Sequence, residues 1–128
     1  MSFIFDENTP PVIARILREL GYDVKPIGEW VGLGGADEDW IPLASEEGHL
    51  IVSSDHRLHK DRAQRVLLRE QGITALFVAK SVHHYTLRDK VIWYIKHWEH
   101  MQNAALKAEP GTAFSVKANG TLSELDLE

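Results

Sequence analysis

Phe3-Ile4-Phe5-Asp6-Glu7-Asn8-Thr9-Pro10-Pro11, near the N-terminus, is the stretch whose reading decides the fold. An apolar triplet this short is a buried strand rather than a helix face, and it ends abruptly on two acids. The proline pair then suits the first turn of a helix, where a missing N–H loses no hydrogen bond. Val12, Ile13, Ile16, Leu17 and Leu20 recur at helical spacing, and Gly21 supplies the stop. A strand passing directly into an amphipathic helix opens a strand-helix-strand unit, whose second strand is expected from Tyr22 to Ile27.

Working outward, the alternation continues. Gly28 to Gly35 holds four glycines with Trp30, Val31 and Leu33 and reads as a loop. It lacks the lysine and hydroxyl of a phosphate-binding loop, so that function is set aside. A helix is predicted from Asp37, placed as its N-cap, past Trp40, Ile41, Leu43 and Ala44 to Gly48, with Pro42 in or near the first turn. The strand Leu50-Ile51-Val52 runs into Ser53-Ser54-Asp55; a basic helix from Leu58 to Gln71 and a strand from Ile73 to Ala79 follow. Thr86 is placed to cap a long helix, with Asp89 three residues on, and Leu87, Val91, Ile92, Tyr94, Ile95, Trp98 and Met101 give a wide apolar stripe. Asn119-Gly120, between 113–118 and 121–125, signals a hairpin at the sheet edge. These elements predict an α/β fold with a mostly parallel central sheet: residues 1–109 form the α/β domain, and 110–128 a C-terminal hairpin and tail packed on it.

A chain of 128 residues can bury one core unaided. It contains no cysteine, which excludes disulfides, thiolate metal sites and cysteine nucleophiles, and makes the cytoplasm the expected compartment. No apolar run approaches the roughly 18 residues of a membrane span, and the N-terminus does not resemble a secretion signal. With a net charge of −5, any nucleic-acid contact must be local. The candidate is the run Arg57, Lys60, Arg62, Arg65 and Arg69, which taken alone is also what a solvated helix face looks like.

Ligands of open α/β sheets collect outside the carboxyl ends of the strands. Asp6 follows the first strand and Asp55 the third, and Asp37, Glu38 and Asp39 open a helix. If the first and third strands are neighbours, their aspartates share one edge. Carboxylates within ~4 Å repel by a few kcal/mol even at an effective dielectric near 20, so such a cluster takes up a proton or a cation. Oxygen donors without sulfur favour Mg²⁺ or Mn²⁺ over Zn²⁺. Each residue also has an ordinary role: Asp37 and Asp55 as caps or turn formers, Glu7 as a solvent-facing acid, Asn8 as a cap before Pro10. His56 and His59, and His97 and His100, share helical spacing but are expected on surfaces or interfaces; His83-His84 would meet a partner or a phosphate.

These residues resemble the PIN-like nucleases, and among them the compact VapC-type toxins. The stretch 3–11 is similar to that group's strand-Asp-Glu-Asn-x-Pro opening, and Leu17 to Val24 to its helix-Gly continuation. Gly35 to Ala44, followed by Glu46 to Asp55, is similar to its acidic helix and a strand ending in Thr/Ser-x-Asp. The likeness covers about the first half of the chain. It implies a PIN-like three-layer sandwich, RNA phosphodiester hydrolysis with Mg²⁺ or Mn²⁺, and an antitoxin protein as partner. Asp6, Asp37 and Asp55 match the catalytic, metal-binding aspartates, with Asp39 the nearest substitute. Many relatives carry another aspartate two residues after the strand-end one; here Arg57 stands there, and Asp61 is the candidate replacement. Asn8, Ser53, Arg57, Lys60, Arg62 and Arg65 are the expected substrate contacts.

Two other readings remain open from the sequence. Asp6-Glu7, Asp55 and Lys80 at successive strand ends are also the layout of a receiver-like phosphoacceptor domain, and Arg57 in place of an acid suits a catalytically degenerate PIN-like module that binds RNA or an antitoxin. Trp93, Tyr94 and Trp98 are expected in the core, with a homodimer surface as the alternative.

Overall fold

The computed structural model describes residues 2–54 and 62–126, without the side chain of Asp37. Six strands form one sheet: β1 (Phe3–Phe5), β2 (Val24–Pro26), β3 (Leu50–Ser53), β4 (Ala75–Val78), β5 (Ala113–Val116) and β6 (Leu122–Leu125). The order is β2-β1-β3-β4-β5-β6, parallel throughout except for the antiparallel β5–β6 hairpin. The predicted α/β fold with a mostly parallel sheet and a C-terminal hairpin is therefore what forms.

The helices are α1 (Pro11–Glu19), α2 (Ile27–Trp30), α3 (Asp37–Glu47), α4 (Arg62–Gln71), α5 (Lys80–His83) and α6 (Leu87–Lys107). Successive strand residues face opposite ways, and the apolar residues divide accordingly. Phe3 and Phe5, Val52, and Leu76 and Val78 join α1 and α6 in one core, around Ile13, Leu17, Tyr94, Trp98 and Met101. Ile4, Ile51, and Ala75 and Phe77 join α3 and α4 in the other, around Trp40, Ile41, Ala44 and Leu68. Three layers result. Aromatic packing on the first face is close: Phe3 meets Trp98 edge-on at 5.0 Å, and Phe5 lies 5.2 Å from Trp98 and 5.7 Å from Tyr94.

Several local expectations are corrected. β2 is shorter than predicted, and Gly28 to Gly35 is not wholly loop, because Ile27–Trp30 turns helical with Ile27 buried. Ala36, not Asp37, occupies the cap position of α3: residue 36 keeps extended dihedrals and makes no side-chain cap bond, so Asp37 is already the first helical residue. Pro42 lies inside α3. Asn8 is not the cap of α1, which begins from Pro10 without a side-chain cap bond. Thr86 does cap α6, its hydroxyl accepting from the Asp89 amide at 3.2 Å. The predicted stripe of α6 was too wide. Tyr94, Trp98, Met101 and Ala105 form the buried face, with Trp93 beside it, whereas Leu87, Ile92 and Ile95 are exposed. In the hairpin, Gly120 takes φ +88° while Asn119 keeps a negative φ; the Gly120 amide closes a turn on the Lys117 carbonyl. Asn-Gly thus serves a longer connection than the two-residue turn that this dipeptide favours. Among the described residues, no helix is long and apolar enough to cross a membrane.

Candidate acidic site

The chain leaves β1 through α1 toward β2 on one side and reaches β3, on the other side of β1, through α3. The carboxyl ends of β1 and β3 therefore flank the point where the winding reverses, the usual ligand position of an open α/β sheet. The amide of Asp6 donates to the Val52 carbonyl at 3.1 Å, extending the pairing by one residue and setting Asp6 beside the end of β3. The condition raised from the sequence, that the first and third strands be neighbours, holds.

Asp6 is only 6 % exposed. A carboxylate at that depth stays ionised only when donors or cations compensate its lost hydration. Ser53, fully buried, donates its hydroxyl to Asp6 Oδ2. Thr9 and Ser54 are buried alongside, their hydroxyl oxygens 3.5 Å apart, and the Thr9 amide closes a turn on the Asp6 carbonyl. Tyr94, from α6, is buried beneath them. Burial pushes its phenol well above the ordinary tyrosine value; the neighbouring Ser54 and Thr9 hydroxyls act in the opposite direction, and the Asp6 charge adds to the rise. It remains neutral at any physiological pH.

The other expected site residues fall as follows. Asp37 opens α3, and Asp39, exposed, lies in the same first turn. Asn8 is exposed in the turn after β1. Ser53 stands too deep to reach a substrate directly, and its hydroxyl serves Asp6. Arg62 is exposed and Arg65 half-buried on α4. Asp55, Arg57, Lys60 and Asp61, and with them His56 and His59, lie outside the described residues. Among the described residues no three histidines, acids or cysteines converge as a metal cage.

Sequence reasoning missed Thr9, Ser54 and Tyr94. The two hydroxyls sit in strand-end turns, where side chains of their type commonly bond to nearby backbone, so nothing marked them out. Tyr94 reaches the site only through the packing of α6. Glu7 is exposed, as expected, and also accepts a hydrogen bond from the Gly34 amide.

The opposite edge of the same strands carries a second polar group of residues. His49, 8 % exposed, accepts the Ser2 amide on Nδ1 at 3.0 Å, so the neutral ring carries its proton on Nε2, 3.6 Å from Glu47. The Ser2 hydroxyl donates to Asp23 at 2.7 Å, and Trp30 stands edge-on to His49 at 5.2 Å. Burial first, then the Lys25 charge, lowers the His49 pKa below its ordinary value, while Glu47 pulls it back up.

A doubly wound sheet with a buried aspartate at the reversal of its winding places that acid where open α/β sheets bind ligands. The chain belongs to the family described as PIN like domain, whose model matches residues 1–80, from β1 to the start of α5. No curated protein and no solved structure matches it. Dependence on a divalent cation is typical of the family, and the Asp6 carboxylate, a hard oxygen donor with neither sulfur nor imidazole among its described neighbours, is chemically suited to one.

Proposed function

We propose that this PIN-like chain is a Mg²⁺- or Mn²⁺-dependent endoribonuclease, the toxin of a VapC-type toxin-antitoxin pair acting in the cytoplasm, with residues 1–109 and the 110–128 hairpin working as one domain. The observation that carries the reading is the buried Asp6 carboxylate, held by Ser53 at the β1/β3 switch point. Asp6, Asp37 and Asp55 are assigned as the metal-binding and catalytic acids, with Asp39 and Asp61 as the carboxylates that complete the set.

A bound divalent ion supplies a water of lowered pKa and positive charge beside the phosphoryl oxygen. The protein's own contribution is orientation. Ser53 holds the Asp6 carboxylate by donating its hydroxyl to Oδ2. Tyr94, neutral, backs the Thr9 and Ser54 turns without adding charge. Arg62 and Arg65 on α4, with Arg57 and Lys60 before them, are assigned to the RNA backbone, and Asn8 to the substrate rim. An antitoxin protein is the assigned partner, with a homodimer as the assembly to look for.

The strand order also suits the receiver-like reading, because β1 and β3 end side by side and Lys80 follows β4. The family match favours the nuclease. The decisive assay is cleavage of single-stranded RNA with and without Mg²⁺. Cleavage that needs the ion and disappears in Asp6→Asn and Asp55→Asn is expected; robust cleavage by the double variant would sink the proposal. A Mg²⁺-dependent adduct on Asp55 after acetyl phosphate treatment would select the receiver-like alternative, and no binding of Mg²⁺ or Mn²⁺ at millimolar concentration the degenerate module.

A further inference from the structure

Glu7, next to the buried Asp6, is exposed, and its carboxylate accepts the Gly34 amide across 27 residues of sequence. β2 runs parallel to β1, so the segment leaving its carboxyl end emerges on the same edge as Asp6. After α2 the chain crosses residues 31–36 and starts α3 at Asp37. Gly34 takes φ +81°, which side-chain-bearing residues rarely adopt, and in this conformation its N–H meets Glu7. Gly34 and Asp37 are three residue steps apart, at most ~11 Å when fully extended. The hydrogen bond therefore fastens the start of α3 near the end of β1. Among the described residues it is the one side-chain hydrogen bond that anchors the 31–36 segment. Leu33, 73 % exposed, stands beside this anchor.

We propose that Glu7 is a positioning residue, clamping the segment before α3 to the end of β1 and so holding the first turn of α3 near the edge that carries Asp6. The role rests on the metal reading of Asp6 and Asp37 given above. It also separates two acids adjacent in sequence: Asp6 is buried and held by Ser53, whereas Glu7 is committed to a backbone amide.

The test compares Glu7→Ala with Glu7→Gln, which keeps a carbonyl oxygen for Gly34 but removes the charge. Amide hydrogen exchange at Gly34 reads the clamp without reference to activity, and Mn²⁺ calorimetry reads its consequence. Glu7→Ala is expected to speed Gly34 exchange by about tenfold and to weaken Mn²⁺ binding by a similar factor, through loss of a charge-assisted hydrogen bond. Glu7→Gln is expected to stay within about threefold of wild type on both readouts, because the acceptor survives. Unchanged Gly34 exchange in Glu7→Ala would overturn the clamp. So would a Glu7→Gln variant that keeps Gly34 protected yet loses Mn²⁺ as fully as Glu7→Ala, since Glu7 would then be a ligand itself. Should wild type take up no Mn²⁺, the metal reading fails, and Gly34 exchange alone still decides the clamp.

Discussion

The two edges of the sheet end the same strands in opposite ways. At the amino edge, Ser2, Asp23 and His49 pair donor with acceptor: the Ser2 amide gives to His49, its hydroxyl to Asp23, and its carbonyl accepts from Leu50. The histidine there is held neutral by burial. At the carboxyl edge a carboxylate is buried instead, among three hydroxyl groups and a phenol. Matching donors with acceptors locks strand ends together, whereas the buried Asp6 carboxylate is an acid that needs its charge compensated, in part by the Ser53 hydroxyl. The first arrangement satisfies its polar groups internally; the second is the one proposed above to take a cation.

The largest effect should come from removing the charge that distinguishes the edges. Asp6→Asn is expected to lower Mg²⁺-dependent RNA cleavage by about a thousandfold or more, because the ion that activates water loses its ligand. Thermal unfolding of the same variant should occur no lower than in wild type, since a buried carboxylate is costly to keep. A variant that loses activity only by unfolding would erase the contrast.

Next comes the hydroxyl that holds Asp6. Ser53→Ala leaves a buried carboxylate short of a donor and should cost about 1–3 kcal/mol in urea unfolding at neutral pH. In the Asp6→Asn background the cost should shrink, because the charged acceptor is gone; equal losses in both backgrounds would mean that Ser53 acts elsewhere.

The amino edge should be visible in pH dependence. The folded pKa of His49 lies below 6.5, so as pH falls the unfolded chain binds this proton first. Its contribution to stability is complete above 6.5 and declines as pH drops from there toward the folded value. His97, lowered by burial and by Lys96 and His100, has the same sign. Replacing His49 with asparagine, whose carbonyl oxygen can still accept the Ser2 amide, should flatten the melting-temperature profile below pH 6.5 in part. An unchanged profile would remove His49 as a contributor.

The smallest effect is expected for Ser2→Ala. It removes one partly buried hydrogen bond to Asp23, costs about 0.5–1.5 kcal/mol, and should leave cleavage untouched.

The two edges were not equally legible in the sequence. Alternating strands and amphipathic helices gave the sheet, its hairpin and the position of Asp6, because burial on both faces leaves a periodic trace. Local rules gave the Thr86 cap. They failed where tertiary packing chose among similar options: Ile92 and Ile95 share the apolar character of Tyr94 and Trp98, yet the sheet covers only one face of α6. The 31–36 segment was legible as glycine-rich but not as anchored, since the Glu7–Gly34 bond joins residues that only the strand order brings together. The hydroxyl and phenol groups around Asp6 left no pattern, because a single polar contact per element has no period.

The central claim is that the carboxyl edge is a cation site built on Asp6. Mn²⁺ titration by calorimetry on wild type and Asp6→Asn tests it most directly. A dissociation constant below about 1 mM is expected for wild type, with at least a tenfold weakening, about 1.4 kcal/mol, in the variant. Equal heats from both proteins, or none from wild type, would contradict it.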